Sequence, residues 1–310
     1  MIKIGFFGTP HFAKKVLEDL YNSSKFEIAF VVTGIDKPVG RSQALTPTPV
    51  KEFALSKDLK IIQPQKIRGN DEFLNEIKTY QVDYLVVVAY GKILPNEVLE
   101  VPKKICINVH GSILPLYRGA SPIQSSLIAG DSVTGLTIMK MSEGMDEGDI
   151  IDVLSIGIDK FDTSETLFTK FEEVSGDFLT KTLIAFDEGK KPLQPQNSED
   201  ATYCKKITKE DGLLDFTKSA PTLFHLWKGL TPWPGIFTSY EDKKLIITKC
   251  DYLKEEIEGK TGEVIKGEFG IGIKCGEGIL ILKEVKLEGK GKQNISDFVN
   301  GRKNFIGTVL

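Results

Sequence analysis

Apolar and polar positions change their period several times along this 310-residue chain, and the changes mark out its elements. Residues 2–7 are a short apolar run that ends in Gly8-Thr9-Pro10, and beyond it Phe12, Val16, Leu17 and Leu20 recur at helical spacing. Strand, tight turn and helix are expected there in that order. Residues 26–33 read as a second strand, 50–57 as a helix, 60–63 as a short strand and 71–80 as another helix. An apolar strand over 84–89 then runs into Tyr90-Gly91-Lys92-Ile93-Leu94-Pro95. Strands alternating with helices predict an α/β fold with a doubly wound, mostly parallel sheet, because crossover helices must cover both faces of such a sheet.

Within 105–110 the apolar Ile105, Ile107 and Val109 alternate with Cys106, Asn108 and His110. Successive strand side chains point to opposite faces, so Asn108 and His110 share one side. Gly111, Ser112, Pro115 and Gly119 then keep the backbone irregular until a helix starts near Pro122. The polar pair thus sits at the carboxyl end of a strand, where parallel α/β sheets open a ligand crevice. On spacing alone a second reading stays open, in which Asn and His only bond the local backbone of a turn.

A helix over 122–129 and a strand over 134–140 follow, then Glu143-Gly144-Met145-Asp146-Glu147-Gly148-Asp149, with four carboxylates in seven residues. The calcium-loop pattern is absent, so no metal is expected there. Ser164 opens a long amphipathic helix with Leu167, Phe168, Phe171, Val174, Phe178 and Leu179 on its apolar face. The polar, proline-bearing stretch 189–200 reads as a linker. Past Tyr203 the pattern changes: a helix over 221–230 leads to Thr231-Pro232-Trp233-Pro234-Gly235. Short strands are then expected at 236–240, 245–252, 262–265, 270–274 and 279–285, with a helix at 295–299. Five short strands with glycine-rich turns predict a small OB-like β-barrel. The expected boundaries are 1–189 for the first domain, 190–203 for the linker and 204–310 for the second domain.

Composition sharpens parts of this picture. Apolar residues make up 41% besides 29 glycines, which suits packed domains and not a disordered chain. No segment approaches the roughly 18 apolar residues of a membrane span, and Met1 leads straight into a strand, so a cytoplasmic protein without a membrane partner is expected. Cys106, Cys204, Cys250 and Cys275, and His11, His110 and His225, lack metal-knuckle or disulfide-framework spacing. Gly5 and Gly8 do not complete G-x-G-x-x-G, which argues against a nicotinamide cofactor. The net charge of −3 hides an asymmetry: from Ala201 onward Lys and Arg number 18 against 15 acidic residues, with 22 against 28 before it. A modestly positive second half suits a polyanionic partner. The loop 34–49 places Lys37 and Arg41 among three prolines, as a stiff phosphate-contacting lid would, and 36–48 is expected to lack fixed structure without its partner.

Three separated motifs carry a family resemblance. They are Asn108-Val109-His110-Gly111-Ser112-Ile113-Leu114-Pro115, Arg118-Gly119-Ala120-Ser121-Pro122-Ile123-Gln124 and Gly144-Met145-Asp146-Glu147-Gly148-Asp149. Together with Phe7-Gly8-Thr9-Pro10, Gly40-Arg41, the 88–95 segment and Thr231-Pro232-Trp233-Pro234, the chain resembles the folate-dependent formyltransferases over nearly its whole length. The resemblance implies a Rossmann-like formyltransferase domain. It also implies transfer of a formyl group from 10-formyltetrahydrofolate to the α-amino group of methionine on initiator tRNA, for translation initiation; a monomer without a metal is expected. Asn108 matches the donor to the developing oxyanion, His110 the proton-transfer residue and Asp146 the carboxylate that orients it. The pteridine would lie against Tyr90, Gly91, Ile93, Leu94, Ser112, Ile113, Leu114 and Pro115. Lys37 and Arg41 match the loop that enters the acceptor end of the tRNA. The family usually continues after Gly-Arg with glycine and lysines, where this chain has Ser42-Gln43-Ala44, so the barrel lysines are expected to carry more of the grip. Two rivals are a formyltransferase acting on a nucleotide amino-sugar and a non-catalytic RNA-binding protein with a vestigial first domain.

Overall fold

The computed structural model describes residues 1–39, 44–255, 257–302 and 304–310. They form two compact units, one of residues 1–122, 134–157 and 168–205, the other of 123–133, 158–167 and 206–310.

The first unit opens with β1 (Ile2–Gly8), α1 (His11–Asn22) and β2 (Phe26–Val32). The helical pattern behaves as its spacing predicts, since Phe12, Ala13, Val16, Leu17 and Leu20 are all buried. Next come β3 (Lys37–Val39) and β4 (Ala44–Thr46), which pair antiparallel. These two short strands lie within the segment expected to lack fixed structure without its partner. The base of that segment is tied down where Asp36 accepts from Lys51 Nζ at 2.6 Å and from Gln63 Nε2 at 2.9 Å. The Gln63 amide and then the Lys51 ammonium hold the Asp36 carboxyl below the usual carboxylate range. Arg41, expected in this loop as a tRNA contact, lies outside the described residues.

The chain continues through α2 (Pro49–Ser56), β5 (Ile61–Ile62), α3 (Asp71–Thr79), β6 (Tyr84–Val88), a single-turn α4 (Asn96–Leu99) and β7 (Ile105–His110). After β8 (Arg118–Gly119), α5 (Pro122–Ala129), β9 (Val133–Lys140) and β10 (Ile150–Gly157), the long α6 (Ser164–Asp187) and the short β11 (Tyr203–Cys204) complete this half of the chain. Seven strands form one sheet in the order β10-β9-β7-β6-β1-β2-β5. The pairs β1/β2, β1/β6, β2/β5 and β6/β7 are parallel, and β7/β9 is antiparallel. The sheet is thus mostly parallel, as the alternation of strands and helices predicts. Every residue of β6 is buried, which fits its unbroken apolar run at the sheet centre.

Residues 190–203, expected as a linker, lie along the first unit. Ile150 and Gln194 exchange backbone hydrogen bonds at 2.8 Å, and β11 pairs parallel with β8. Polar, proline-bearing sequence describes a solvated strap as well as it describes a linker, so composition does not separate the two.

The second unit contains α7 (Ala220–Leu230), β12 (Ile236–Tyr240), β13 (Lys243–Leu253), β14 (Val264–Gly267), β15 (Gly270–Lys274), β16 (Ile279–Leu287), β17 (Lys292–Asn294) and α8 (Ile295–Asn300). Its strands form one antiparallel sheet in the order β12-β13-β16-β15-β14, with β17 paired to β16. The five apolar strands match the expected runs. The sixth, Lys-Gln-Asn, offers no apolar signal. Ser219 caps α7 by accepting from the Thr222 N–H, and Leu223, Phe224, Trp227 and Leu230 of that helix are buried in the core of this unit. Tyr240, Phe298 and Phe305 form a second aromatic knot with ring centroids 5.0–6.1 Å apart. Among the described residues no helix is long and apolar enough to cross a membrane.

Candidate active site

β6 and β7 run parallel and in register, with Val87 opposite Asn108, so the loops that follow them leave the same sheet edge. At that edge Asn108, His110 and Asp146 come together. Asn108 Nδ2 donates to Asp146 Oδ1 at 3.4 Å, and His110 Nδ1 lies 3.6 Å from Asp146 Oδ2. Alternation along β7 does what the sequence implies, turning both side chains toward one carboxylate. His110 is 5% exposed, and its Nε2 lies 3.0 Å from the Tyr117 carbonyl oxygen. A carbonyl only accepts, so Nε2 carries the hydrogen in the neutral ring and Nδ1 presents its lone pair toward Asp146.

Asp146 is held from several directions. Its Oδ2 accepts from the Gly119 N–H at 2.9 Å, and its backbone takes a positive φ of 54°. Ala89 at the end of β6 and Tyr117 beside β8 also have positive φ, at 45° and 58°. Non-glycine residues in this region typically cost about 1–3 kcal/mol each and persist where surrounding structure enforces them. Gly119 itself allows no substitute. Its φ is 124°, and a Cβ there would collide with the Cys204 carbonyl oxygen of the paired strand. The Arg-Gly pair of the second motif therefore brings a backbone donor to the Asp146 carboxylate.

The expected folate-contacting residues occupy varied settings. Ile93 is 74% exposed although apolar, whereas Leu94 and Leu114 are buried. Gly91 has a φ of 76° with open space where a Cβ would stand. Tyr90 is buried against Phe7, its hydroxyl has no partner among the described residues, and burial pushes that hydroxyl up to about 12. Ile113 and Pro115 are half-buried. Ser112 is fully buried, and its hydroxyl donates to the Leu116 carbonyl at 2.6 Å, so its side chain is committed to shaping the loop. Lys37 is exposed on β3.

Thr137 of β9 fastens the loop after β7 from below. Its hydroxyl accepts from the Leu114 N–H at 3.0 Å and donates to the Ser112 carbonyl at 2.7 Å, and it is fully buried. Thr137→Val keeps the shape but strands both backbone groups. It is expected to lower unfolding free energy by about 1–3 kcal/mol, read as a shift in urea midpoint at unchanged slope.

Three contributors escape sequence reading: the Tyr117 carbonyl, the Gly119 N–H and Gln196. The first two are backbone groups without side-chain signature, and Gln196 sits in a stretch whose composition reads as solvated.

Residues 2–183 match the formyl transferase family, and residues 206–303 match the formyl transferase C-terminal domain. The methionyl-tRNA formyltransferase of Caldicellulosiruptor saccharolyticus is 44% identical over 99% of both chains. That of Caldanaerobacter subterraneus subsp. tengcongensis is 40% identical over the full length of each. Among solved structures, the sugar 3N-formyl transferase WlaRD, crystallised with dTDP and 5-N-formyl-THF, covers 94% of this chain and 99% of its own. Its TM-score is 0.68 at 20% identity. An N-formyltransferase from Helicobacter canadensis in complex with folinic acid and dTDP-3-aminofucose gives 0.67 at 19% identity, covering 91% and 99%. At such identities the likeness is one of fold.

Proposed function

The chain belongs to the formyl transferase family, and from that footing we propose that it moves a formyl group from 10-formyltetrahydrofolate to the α-amino group of methionine esterified to initiator tRNA. The observation that carries the chemistry is the single carboxylate, Asp146, that meets both the Asn108 amide and the His110 Nδ1 face. The choice of acceptor rests on the full-length likeness to methionyl-tRNA formyltransferases, at 37–44% identity.

His110 takes the proton from the attacking amine at Nδ1, the nitrogen left free by the bond from Nε2 to Tyr117. Asp146 stabilises the imidazolium so formed and holds the ring in place. Asn108 turns its Nδ2 donor toward the oxygen on which negative charge develops. The folate, when bound, supplies the formyl carbon, whose bond to the folate nitrogen is replaced by the bond to the amine, and His110 returns the proton it took to that leaving nitrogen. Tyr90, Gly91, Ile93, Leu94, Ser112, Ile113, Leu114 and Pro115 would hold it, with Ser112 acting through its backbone. An apolar Ile93 left exposed at this edge and a buried Tyr90 hydroxyl without a partner among the described residues fit a flat ring with polar margins. Lys37 and Arg41 would meet the acceptor end of the tRNA. The protein works as a cytoplasmic monomer in translation initiation.

The test offers purified protein and 10-formyltetrahydrofolate with four acceptors: methionyl-tRNA, free methionine, a nucleotide amino-sugar and glycinamide ribonucleotide. Formylation confined to methionyl-tRNA is expected. Transfer to the amino-sugar would keep the catalytic groups and overturn the acceptor, and tRNA binding without transfer to any amine would leave only an RNA-binding protein.

A further inference from the structure

Gln196, gripped by Arg118, bonds the backbone of the acidic loop that carries Asp146. Arg118 is 1% exposed, and no carboxylate among the described residues pairs with it. Its guanidinium instead clamps one amide oxygen, with Nε at 3.1 Å and Nη2 at 2.9 Å from Gln196 Oε1, while Nη1 donates to Tyr203 Oη at 3.3 Å. The other end of the same amide faces the acidic loop. Gln196 Nε2 donates to the Asp146 carbonyl at 2.9 Å and to the Gly148 carbonyl at 2.7 Å.

Burying a guanidinium without a counter-ion is costly, so its retention calls for a reason beyond packing. The loop supplies one. Asp146 sits at positive φ, a backbone shape that must be enforced, and Gly148 lies so close to Lys140 that a Cβ there would collide with the Lys140 carbonyl oxygen. A carbonyl at each of those positions ends on the Gln196 amide. Gln196 can serve both carbonyls only with its amide in one orientation, and two donors from Arg118 on Oε1 select that orientation.

We propose that Arg118 and Gln196 form a strut that sets the acidic loop, and through it the Asp146 carboxylate, against Asn108 and His110. They are positioning residues: neither touches the reacting atoms, and both act through Asp146. This rests on the reading of Asp146 as part of the formyl-transfer site. A carboxylate displaced by about 1 Å loses its bearing on the imidazole, and displacement of that size can cost about 10²-fold in rate.

Gln196→Met removes the clamp and both loop bonds. Gln196→Glu keeps an acceptor for Arg118 but turns a carboxylate oxygen toward two carbonyls. Both are expected to lower kcat by about 10–10²-fold with KM for methionyl-tRNA little changed, in assays run well below the melting temperature, which should itself fall for Gln196→Met because two carbonyls and a buried guanidinium lose their partner. Arg118→Lys should give a smaller loss in the same direction, since a single ammonium cannot clamp the amide from two sides. The decisive measurement repeats Gln196→Met in an Asp146→Asn background. A strut acting through the carboxylate adds no further loss there, whereas losses that multiply would overturn it. Both Gln196 variants staying within about twofold of the parent, while Asp146→Asn is crippled, would also overturn it. Full activity in Asp146→Asn would instead sink the catalytic reading of the site.

Discussion

Alanine in place of His110 is expected to lower kcat for formyl transfer by about 10²–10⁴-fold, the range that one positioned acid or base contributes. The expectation follows from where the ring's two nitrogens sit. Nε2 is engaged with the Tyr117 carbonyl, so only Nδ1 can receive a proton, and it does so beside a carboxylate 3.6 Å away. Affinity for the tRNA should stay nearly unchanged, because the buried imidazole presents almost no surface to a macromolecule. Loss of kcat without loss of binding is the signature of a group that works in the transition state. Single-turnover formylation beside a filter-binding titration measures the two separately. Turnover within a few-fold of the parent would remove His110 from the chemistry, and a parallel loss of tRNA affinity would point to a collapsed loop.

Much of this candidate site is legible in the amino-acid sequence alone. The alternation in β7 places Asn108 and His110 on one face, because a strand's period of two leaves no other arrangement. The face of α1 was equally readable, since buried positions three and four apart have one helical explanation. What the sequence withholds is whatever depends on distant backbone. The Gly119 N–H and the Tyr117 carbonyl belong to peptide units that every sequence contains, and only the fold aims them at Asp146 and His110. Gln196 lies 50 residues from the carbonyl it braces, inside a stretch whose polarity suggests solvent on all sides. The strand Lys292–Asn294 offers no apolar signal, whereas Ile150–Gly157 is apolar at five of its eight positions without the burial that would mark it as a core strand. β10 lies at the edge of its sheet and buries little, and β17 is exposed throughout. The paired strands Lys37–Val39 and Ala44–Thr46 show the same limit, with no buried position in β4 to announce a strand.

Asn108→Ala should cost about 10²–10³-fold in kcat, equivalent to about 2.7–4 kcal/mol of barrier, if its amide is the donor to the developing negative charge. The geometry gives that donor a fixed direction. Asp146 Oδ1 accepts from Nδ2 at 3.4 Å, a loose bond, which leaves the second hydrogen of the same nitrogen for the reacting oxygen. Asn108→Asp is the sharper variant. It matches the parent in shape, replaces the donor by an acceptor and adds a negative charge next to Asp146, so it should fall at least as far as alanine. A residue that served only to pack the end of β7 would behave the other way, with aspartate tolerated better than alanine on size. Because an amide does not titrate, the Asn108→Ala loss should also be the same at every pH where the parent is active. A loss that grew or shrank with pH would mean that Asn108 acts on the proton-transfer step at His110, and the assignment of the oxyanion donor would have to move to a backbone N–H of the neighbouring loop.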